Sequence, residues 1–359
     1  MANKFKTITK KDHTTRRTLL HEAIPITGSM ISGTYVSTLS VATNTKNYSH
    51  GMFQSYYDYP YLSSSANHLF DVTCGHSILS VFSASTTNQN SKKINIYNQM
   101  AQICRGYDDT GSIKYFTQDG THTGARMNET IFMNFSRLLT KDEIKKESFS
   151  ILINSGGLPS NPHSQLTVSD PRANTGYLTN SPAGEWAIVH TNSADPNPNG
   201  TSGVGHLYYQ AGVLVLTASI FSASAGSVAN SDNHFGPNTV GLEGTQSYAA
   251  VATGSTIQAV AEGFANRIEN IQFNNTTQLH SSIYFCRVNH NEFNHSSNPT
   301  YTSGSKYVVK NKSSDSPLSY ITTVGLYSQN NVLLAVAKLS EPLLKTPETE
   351  YTLRVRLDY

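Results

Sequence analysis

What most narrows the folds open to this chain is its supply of small polar side chains. Serine, threonine and asparagine occupy 44, 38 and 31 of the 359 positions, while charged residues make up only 14%. In a helix these side chains compete with the backbone for hydrogen bonds or lose rotamer freedom; they favour turns and strand surfaces. The expected fold is therefore mainly β, with β-sandwich-like sheets and two or three short packing helices. A hydrophobic content of 37% excludes a disordered or collagen-like chain. Apolar stretches such as Gly212 to Ile220 fall short of the roughly 18 to 20 residues of a bilayer-crossing helix. The N-terminus is basic without an apolar h-region behind it. No membrane span and no export leader are expected.

Lys+Arg 26 against Asp+Glu 24 leaves a net charge of +2, too small for a chain that binds nucleic acid through its overall charge. Residues 1–18 are the exception. Lys4, Lys6, Lys10, Lys11, Arg16 and Arg17 stand there against Asp12 alone, with little apolar periodicity. This reads as an extended basic arm, either a solvated tail or a segment that orders on a neighbouring subunit or on phosphate-bearing nucleic acid.

Beyond the arm, three regions are expected. Residues 19–154 form a β-rich domain with one helix, residues 155–255 a loop-rich middle or inserted β domain, and residues 256–359 a C-terminal β domain led by a helix, which can share a core with 19–154. Alternating runs at Thr34 to Val41 and His68 to Val72 read as strands. Ile96, Met100, Ile103, Cys104 and Tyr107 trace a helical stripe, and Ile257, Val260, Ala261, Phe264 and Ile268 trace a second. Thr130 to Leu139 reads as a strand. Thr140 to Glu143 has capping-box spacing for a short helix ending near Lys146, and Phe149 to Ile153 returns to strand. Asn154 to Gly184 and Ser222 to Gly254 carry loop chemistry. Glu185 to Val189 and Leu207 to Phe221 are apolar runs, with a turn at Gln210-Ala211-Gly212. Strands follow near Ile271 and at Ser282 to Val288. Tyr320 to Tyr327 and Val332 to Ala337 flank the turn 328–331, and Tyr351 to Leu357 alternates to the end, so three neighbouring strands are predicted. Ile321, Val324, Leu326, Val332, Leu334 and Val336 are expected to gather on a covered face, and the last strand to turn Arg354, Arg356 and Asp358 outward.

Little in this chain looks like catalysis. G-x-S-x-G, P-loop, H-E-x-x-H and dinucleotide-binding patterns are missing, so no enzyme activity and no cofactor are expected. Two sets have metal-ligating types: His68, Asp71, Cys74 and His76 on one strand, and Cys286, His290 and His295. Same-face residues on one strand lie along a line, which suits a tetrahedral metal poorly, so no metal is expected. Cys74, Cys104 and Cys286 read as small reduced thiols. The unusual feature is aromatic: 20 tyrosines, four of them (Tyr56, Tyr57, Tyr59 and Tyr61) around Pro60. Such side chains suit protein interfaces and also stack on sugars.

Three pairs of segments carry a family resemblance: residues 21–35 (HEAIPITGSMISGTY) with 47–71; residues 92–108 (KKINIYNQMAQICRGYD) with 134–150; and residues 285–301 (FCRVNHNEFNHSSNPTY) with 320–343 and the terminal RVRLDY. Together they resemble an uncharacterised family of virion structural proteins of large contractile-tailed bacteriophages. The hairpin TTVGLYSQNNVLLAVAK also resembles hairpins of tail-fibre and baseplate-attachment proteins. The resemblance implies a non-enzymatic building block of the tail, baseplate or neck, located in the virion. Its partners would be other virion proteins and further copies of itself in a symmetric assembly. Residues 155–255 match less clearly. Candidate interface residues are Tyr56, Tyr57, Tyr59, Tyr61, Arg16, Arg17, Tyr327, Arg354 and Arg356. The competing expectation is a receptor- or carbohydrate-binding adhesin of the virion, which would need a concave aromatic site.

Overall fold

The computed structural model describes residues 5–27, 44–84, 87–121, 123–154, 165–191, 203–221, 256–265, 267–296, 301–303, 306–307, 314 and 316–359. The strand expected at Thr34 to Val41 and the loop-rich stretch Ser222 to Gly254 lie outside the described residues. The chain is mainly β, with a large antiparallel sheet and four short α-helices among the described residues. No described helix is long and apolar enough to cross a membrane.

In chain order the elements are β1 (His13–Thr27), β2 (Thr45–Asn47), β3 (Gln54–Tyr57), β4 (His68–His76), α1 (Asn88–Cys104), β5 (Glu129–Phe135), α2 (Arg137–Thr140), β6 (Glu143–Ile144), β7 (Ser150–Asn154), β8 (Gln165–Ser169), α3 (Ala173–Gly176), β9 (Trp186–His190), β10 (Gly203–Tyr208), β11 (Val213–Thr217), α4 (Ile257–Ala265) and β12 (Ile268–Val288). They continue with β13 (Thr302–Ser303), β14 (Lys306–Tyr307), β15 (Ser319–Tyr327), β16 (Leu333–Lys345) and β17 (Tyr351–Asp358). The chain divides into two compact units, Leu20–Thr277 and Met1–Leu19 with Gln278–Tyr359. Residues 19–154 and the described part of 155–255 thus fall almost wholly within one unit, and residues 5–19 belong with the C-terminal part.

The larger unit is built on strands ordered β1-β12-β7-β8-β9-β10-β11-β5-β4-β3-β2, with β6 also beside β12. Trp186–His190 and Val213–Thr217 are buried at every position, which explains why they read as continuous apolar runs: a strand covered on both faces has no polar side to alternate with. The hairpin between β10 and β11 turns at the expected place, with Gly212 at φ +67°. Helices α1 and α4 pack on β4. α1 is capped by Thr87, whose hydroxyl accepts from the Asn90 N–H at 3.3 Å. It comes so close to β4 that a Cβ on Gly75 would sit 2.7 Å from the Lys93 carbonyl oxygen. That approach selects the buried face Asn90, Lys93, Ile96, Tyr97, Ala101 and Cys104, whereas Ile103 and Tyr107 of the expected stripe are exposed. On α4 the expected stripe is the buried one, Ile257, Val260, Ala261 and Phe264.

Two local expectations are corrected here. The helix foreseen from Thr140 to Lys146 lies earlier, as α2, because residues 143–144 pair with Asn275 and Thr276 of β12. Asn154 to Gly184 is not all loop: β8 pairs with β7, and α3 follows it.

The smaller unit holds residues 278–288 of β12, which pair with β17 from Ser281↔Asp358 to Val288↔Tyr351. The strands expected near Ile271 and at Ser282 to Val288 are therefore one element. The last strand is not a neighbour of the C-terminal hairpin, as three adjacent strands would require; β15 and β16 form a separate two-stranded ribbon. Val355 is buried while Arg354, Arg356 and Asp358 face out, as the alternation predicts. The described part of the basic arm, residues 5–18, makes its contacts within this unit. Lys6 Nζ lies 2.5 Å from Glu292 Oε2, Asp12 Oδ1 lies 2.8 Å from Arg287 Nε, and the rings of His13 and Tyr284 are 4.8 Å apart. Buried Lys345 donates to the carbonyls of His290 (3.0 Å) and Thr346 (2.7 Å) and to Asn294 Oδ1 (2.7 Å), pinning the loop after β12.

Candidate interaction surface

The β15–β16 ribbon owes its exposed face to one extra residue. Next to the turn, Tyr327 pairs with Leu333; that register, continued unchanged, would set Leu326 opposite Leu334 and Val324 opposite Val336. Those apolar residues would then share one face, as the sequence pattern suggests. Instead a bulge leaves Leu334 unpaired, and the register continues as Leu326↔Ala335, Gly325↔Val336, Val324↔Ala337 and Thr323↔Lys338. A slip of one residue sends side chains to the opposite face. Leu326 is turned inward opposite an alanine, while Leu334 and Val336 are 69% and 55% exposed. The turn that sets this up has Ser328 N–H donating to the Val332 carbonyl at 2.8 Å and Asn331 at φ +59°.

The resulting face carries Tyr327, Leu333, Leu334 and Val336, all exposed, and Phe5 packs edge-on against Tyr327 with ring centroids 4.9 Å apart. A Cβ on Gly325 would meet the Tyr327 ring at 2.8 Å and Leu333 at 3.4 Å, so the tyrosine lies across the bare glycine. Between Ser319 and Ala337 there is no acidic or basic side chain. Burying a Leu or Val side chain stabilises by about 1.5–3 kcal/mol, which this ribbon forgoes at two adjacent outward positions.

The other candidate interface residues are dispersed. Tyr56 is 2% exposed, stacks on Phe70 at 5.2 Å and donates to Gln54 Oε1 at 2.7 Å, so it is a core residue of the larger unit and not available to a partner. Burial raises its phenol well above the usual value. Tyr57 is half-buried with its ring 6.2 Å from that of Tyr61, and Tyr59 and Tyr61 are exposed on the following turn. Arg16 and Arg17 are exposed on β1, and Arg354 and Arg356 on β17, where Arg356 Nε lies 2.6 Å from Asp358.

The densest group of titratable and aromatic side chains is sealed inside the larger unit. Arg105 lies over the Trp186 ring at 4.9 Å and donates to the carbonyls of Gly120 (3.0 Å) and Thr121 (3.3 Å). His206 Nε2 donates to the Thr117 carbonyl at 2.7 Å, and the Tyr208 hydroxyl lies 3.4 Å from its Nδ1. Burial, with the Arg105 charge beside it, drives the His206 pKa down to about 3, so the ring is neutral. His206, Tyr208 and Trp186 are fully buried; their chemistry is that of a hydrogen-bonded core without access for a substrate. Sequence reading missed this group because its members are spread from residue 105 to 208; the pairing of β9 with β10 brings Trp186, His206 and Tyr208 together.

Asp170 is a second buried group, accepting from Tyr209 OH at 2.8 Å and from the backbone N–H of Glu147 (2.9 Å) and Phe149 (3.1 Å). Burial outweighs these donors and raises its pKa to about 6. Nearby, a groove of about 570 Å³ runs past Pro25, Lys146, Glu147 and Asn274. Its Lys146 is held by Glu185 at 2.5 Å and by the Tyr177 ring at 4.4 Å, leaving little free charge for a ligand. The two sets with metal-ligating types do not converge: His68 bonds Asp71 at 2.9 Å, His76 reaches Asn90, and Cys74 points into the core. Among the described residues no three His, Cys, Asp or Glu side chains come together as a metal site.

No family model, curated protein or solved structure matches the chain. What bears on function is the surface itself and the resemblance carried by the sequence segments.

Proposed function

We propose that this chain is a non-enzymatic structural subunit of a tailed bacteriophage virion, placed in the tail, baseplate or neck, and that it acts through protein–protein contacts. The observation that carries the reading is the outward apolar face of the β15–β16 ribbon beside its turn, bounded by Lys338, in a unit that buries few apolar side chains of its own. Monomeric proteins rarely leave contiguous apolar patches of more than a few hundred Å² in water. The resemblance of residues 285–301, 320–343 and the terminal RVRLDY to contractile-tailed phage virion proteins supports the same reading, since it falls on this unit. The adhesin reading has less to stand on: of the four clustered tyrosines, one is core and one half-buried, leaving Tyr59 and Tyr61 on a turn.

The test is location. Mass spectrometry of purified particles should find the protein at a fixed copy number, and a chain ending at Glu350 should be missing from them. That truncation removes β17 and leaves residues 281–288 of β12 with an open edge, an invitation to aggregation. Normal incorporation of the truncated chain, or absence of the full chain from particles, would overturn the proposal.

A further inference from the structure

We infer that the exposed face of the β15–β16 ribbon is covered by the same face of a second copy of this chain, in a two-fold, ribbon-on-ribbon contact. This rests on the assembly reading above and names the partner. Three features of the face argue for a second copy over a different surface.

The first is charge. From Ser319 to Ala337 the ribbon has neither acid nor base, and Lys338, opposite Thr323, sits at the inner end of the face. A partner presenting charged groups here would bury them without counter-charges, at a cost that grows as water is excluded. An identical face brings only its own Lys338, which stands at the end of the patch away from the turn.

The second is area. From their fractional exposures, Phe5, Tyr327, Leu333, Leu334 and Val336 leave on the order of 500 Å² in water, in the upper part of the range for the largest patch of a typical monomer. Two such faces bury on the order of 1,000 Å², the area that a specific interface has to reach. A self-contact thus uses the whole patch and needs nothing more than the patch.

The third is shape. On β15 the Tyr327 ring lies across Gly325 and makes a low shelf, while on β16 Leu334 and Val336 stand out as a ridge. A two-fold axis sets the ridge of each copy on the shelf of the other, and every contact is made twice. The same bulge that flips Leu334 and Val336 outward therefore builds both halves of the contact.

The experiment is analytical ultracentrifugation of the full chain, wild type against the double variant Leu334→Asp/Val336→Asp, with particle uptake as a parallel readout. Wild type should be a concentration-dependent dimer, and the double variant should weaken dimerisation by at least about 100-fold, roughly two steps of 1.4 kcal/mol. Its circular dichroism should be unchanged. Leu62→Asp, at a position 86% exposed in the larger unit, should leave the dimer intact. Should the double variant fail to fold, Val336→Cys in a Cys286→Ser background supplies the second arm: a short bis-maleimide should link two copies through residue 336. A wild-type chain that stays monomeric at about 100 µM, with no cross-link, overturns the self-contact. If the double variant is then still excluded from particles, the face meets another virion protein and the assembly reading survives. If it enters them at normal copy number, both fall.

Discussion

The two units of this molecule handle their apolar side chains in opposite ways. In the larger one, Phe70, Phe116, Phe132, Trp186, Tyr208 and Phe264 are all fully buried, and they belong to a single apolar cluster that draws on strands and helices from Ile26 to Phe273. In the smaller one, the buried apolar side chains among the described residues are Ile283, Val288, Tyr301, Leu326 and Val355, at 7–8% exposure, and none of them belongs to that cluster. A body with its own core can fold on local terms, whereas a twisted ribbon of two strands is marginal in water without further cover. The larger unit also exposes apolar side chains, Leu62, Ile78, Leu79 and Val81 among them, but it has a core of its own beneath them, which the ribbon lacks.

The contrast between the units is largest at a core aromatic. Phe132→Ala should cost about 3–5 kcal/mol in urea unfolding of the larger unit, while Leu334→Ala in the dilute monomer should change stability by less than about 0.5 kcal/mol. Similar losses at the two sites would mean that the ribbon is as integral to the fold of its own chain as the core is. Next comes acid. His206 has a folded pKa of about 3 against 6.5 for the free side chain, so the unfolded chain takes up a proton that the folded one refuses. Stability is lost as pH falls from 6.5 towards 3. Asp170 works the other way: raised from 3.8 to about 6, it adds stability that is fully present below 3.8 and lost as pH rises through 6. The histidine shift is the larger, so acidification should destabilise the larger unit by about 1–2 kcal/mol net, and Asp170→Asn should steepen that loss. Urea midpoints from neutral pH down to the folded pKa of His206 measure both; a flat profile in wild type and variant alike contradicts a sealed, neutral His206.

An effect of the same order as the acid one concerns the seat of α1. Gly75→Ala puts a methyl group against the Lys93 carbonyl and should cost about 1–3 kcal/mol through overpacking, visible as a lower thermal midpoint. An unchanged midpoint would show that the helix can slide on β4. Smallest is Phe5→Ala, which removes one edge-to-face ring pair worth about 0.5–1.5 kcal/mol. Faster amide exchange confined to residues 325–336 would mark the loss, and no change there would release the N-terminal segment from any part in shaping the face.

Elements whose cause is local could be read from the sequence. α4 announces itself through four apolar residues at helical spacing, and the turn at Gln210 to Gly212 through a glycine that the backbone needs at positive φ. The burial of β9 and β11 follows from unbroken apolar runs. What escaped depends on contacts between distant positions. Which face α1 buries is chosen by its close approach at Gly75, and β17 finds its partner in β12, far earlier in the chain. The exposed face of the ribbon was half legible: the apolar residues on both sides of residues 328–331 are plain, but the bulge at Leu334 that turns part of them to solvent leaves no mark in apolar periodicity. Tyr56 shows the reverse error, since a run of neighbouring tyrosines says nothing about which of them the sheet covers.

The pairing of the first residues with the last part of the chain also sets an order in time. Lys6 and Glu292 are 286 positions apart, and ribosomes add roughly 5–20 residues per second, so the N-terminal segment waits on the order of 15–60 s for the acid that holds it. Asp12 waits for Arg287 in the same way, and residues 281–288 then wait for β17. An interrupted translation product would thus display a loose basic terminus and an unfilled strand edge together. The smaller unit closes only after residues 351–358 have been made, some time after the larger unit, which ends at Thr277, has all of its strands.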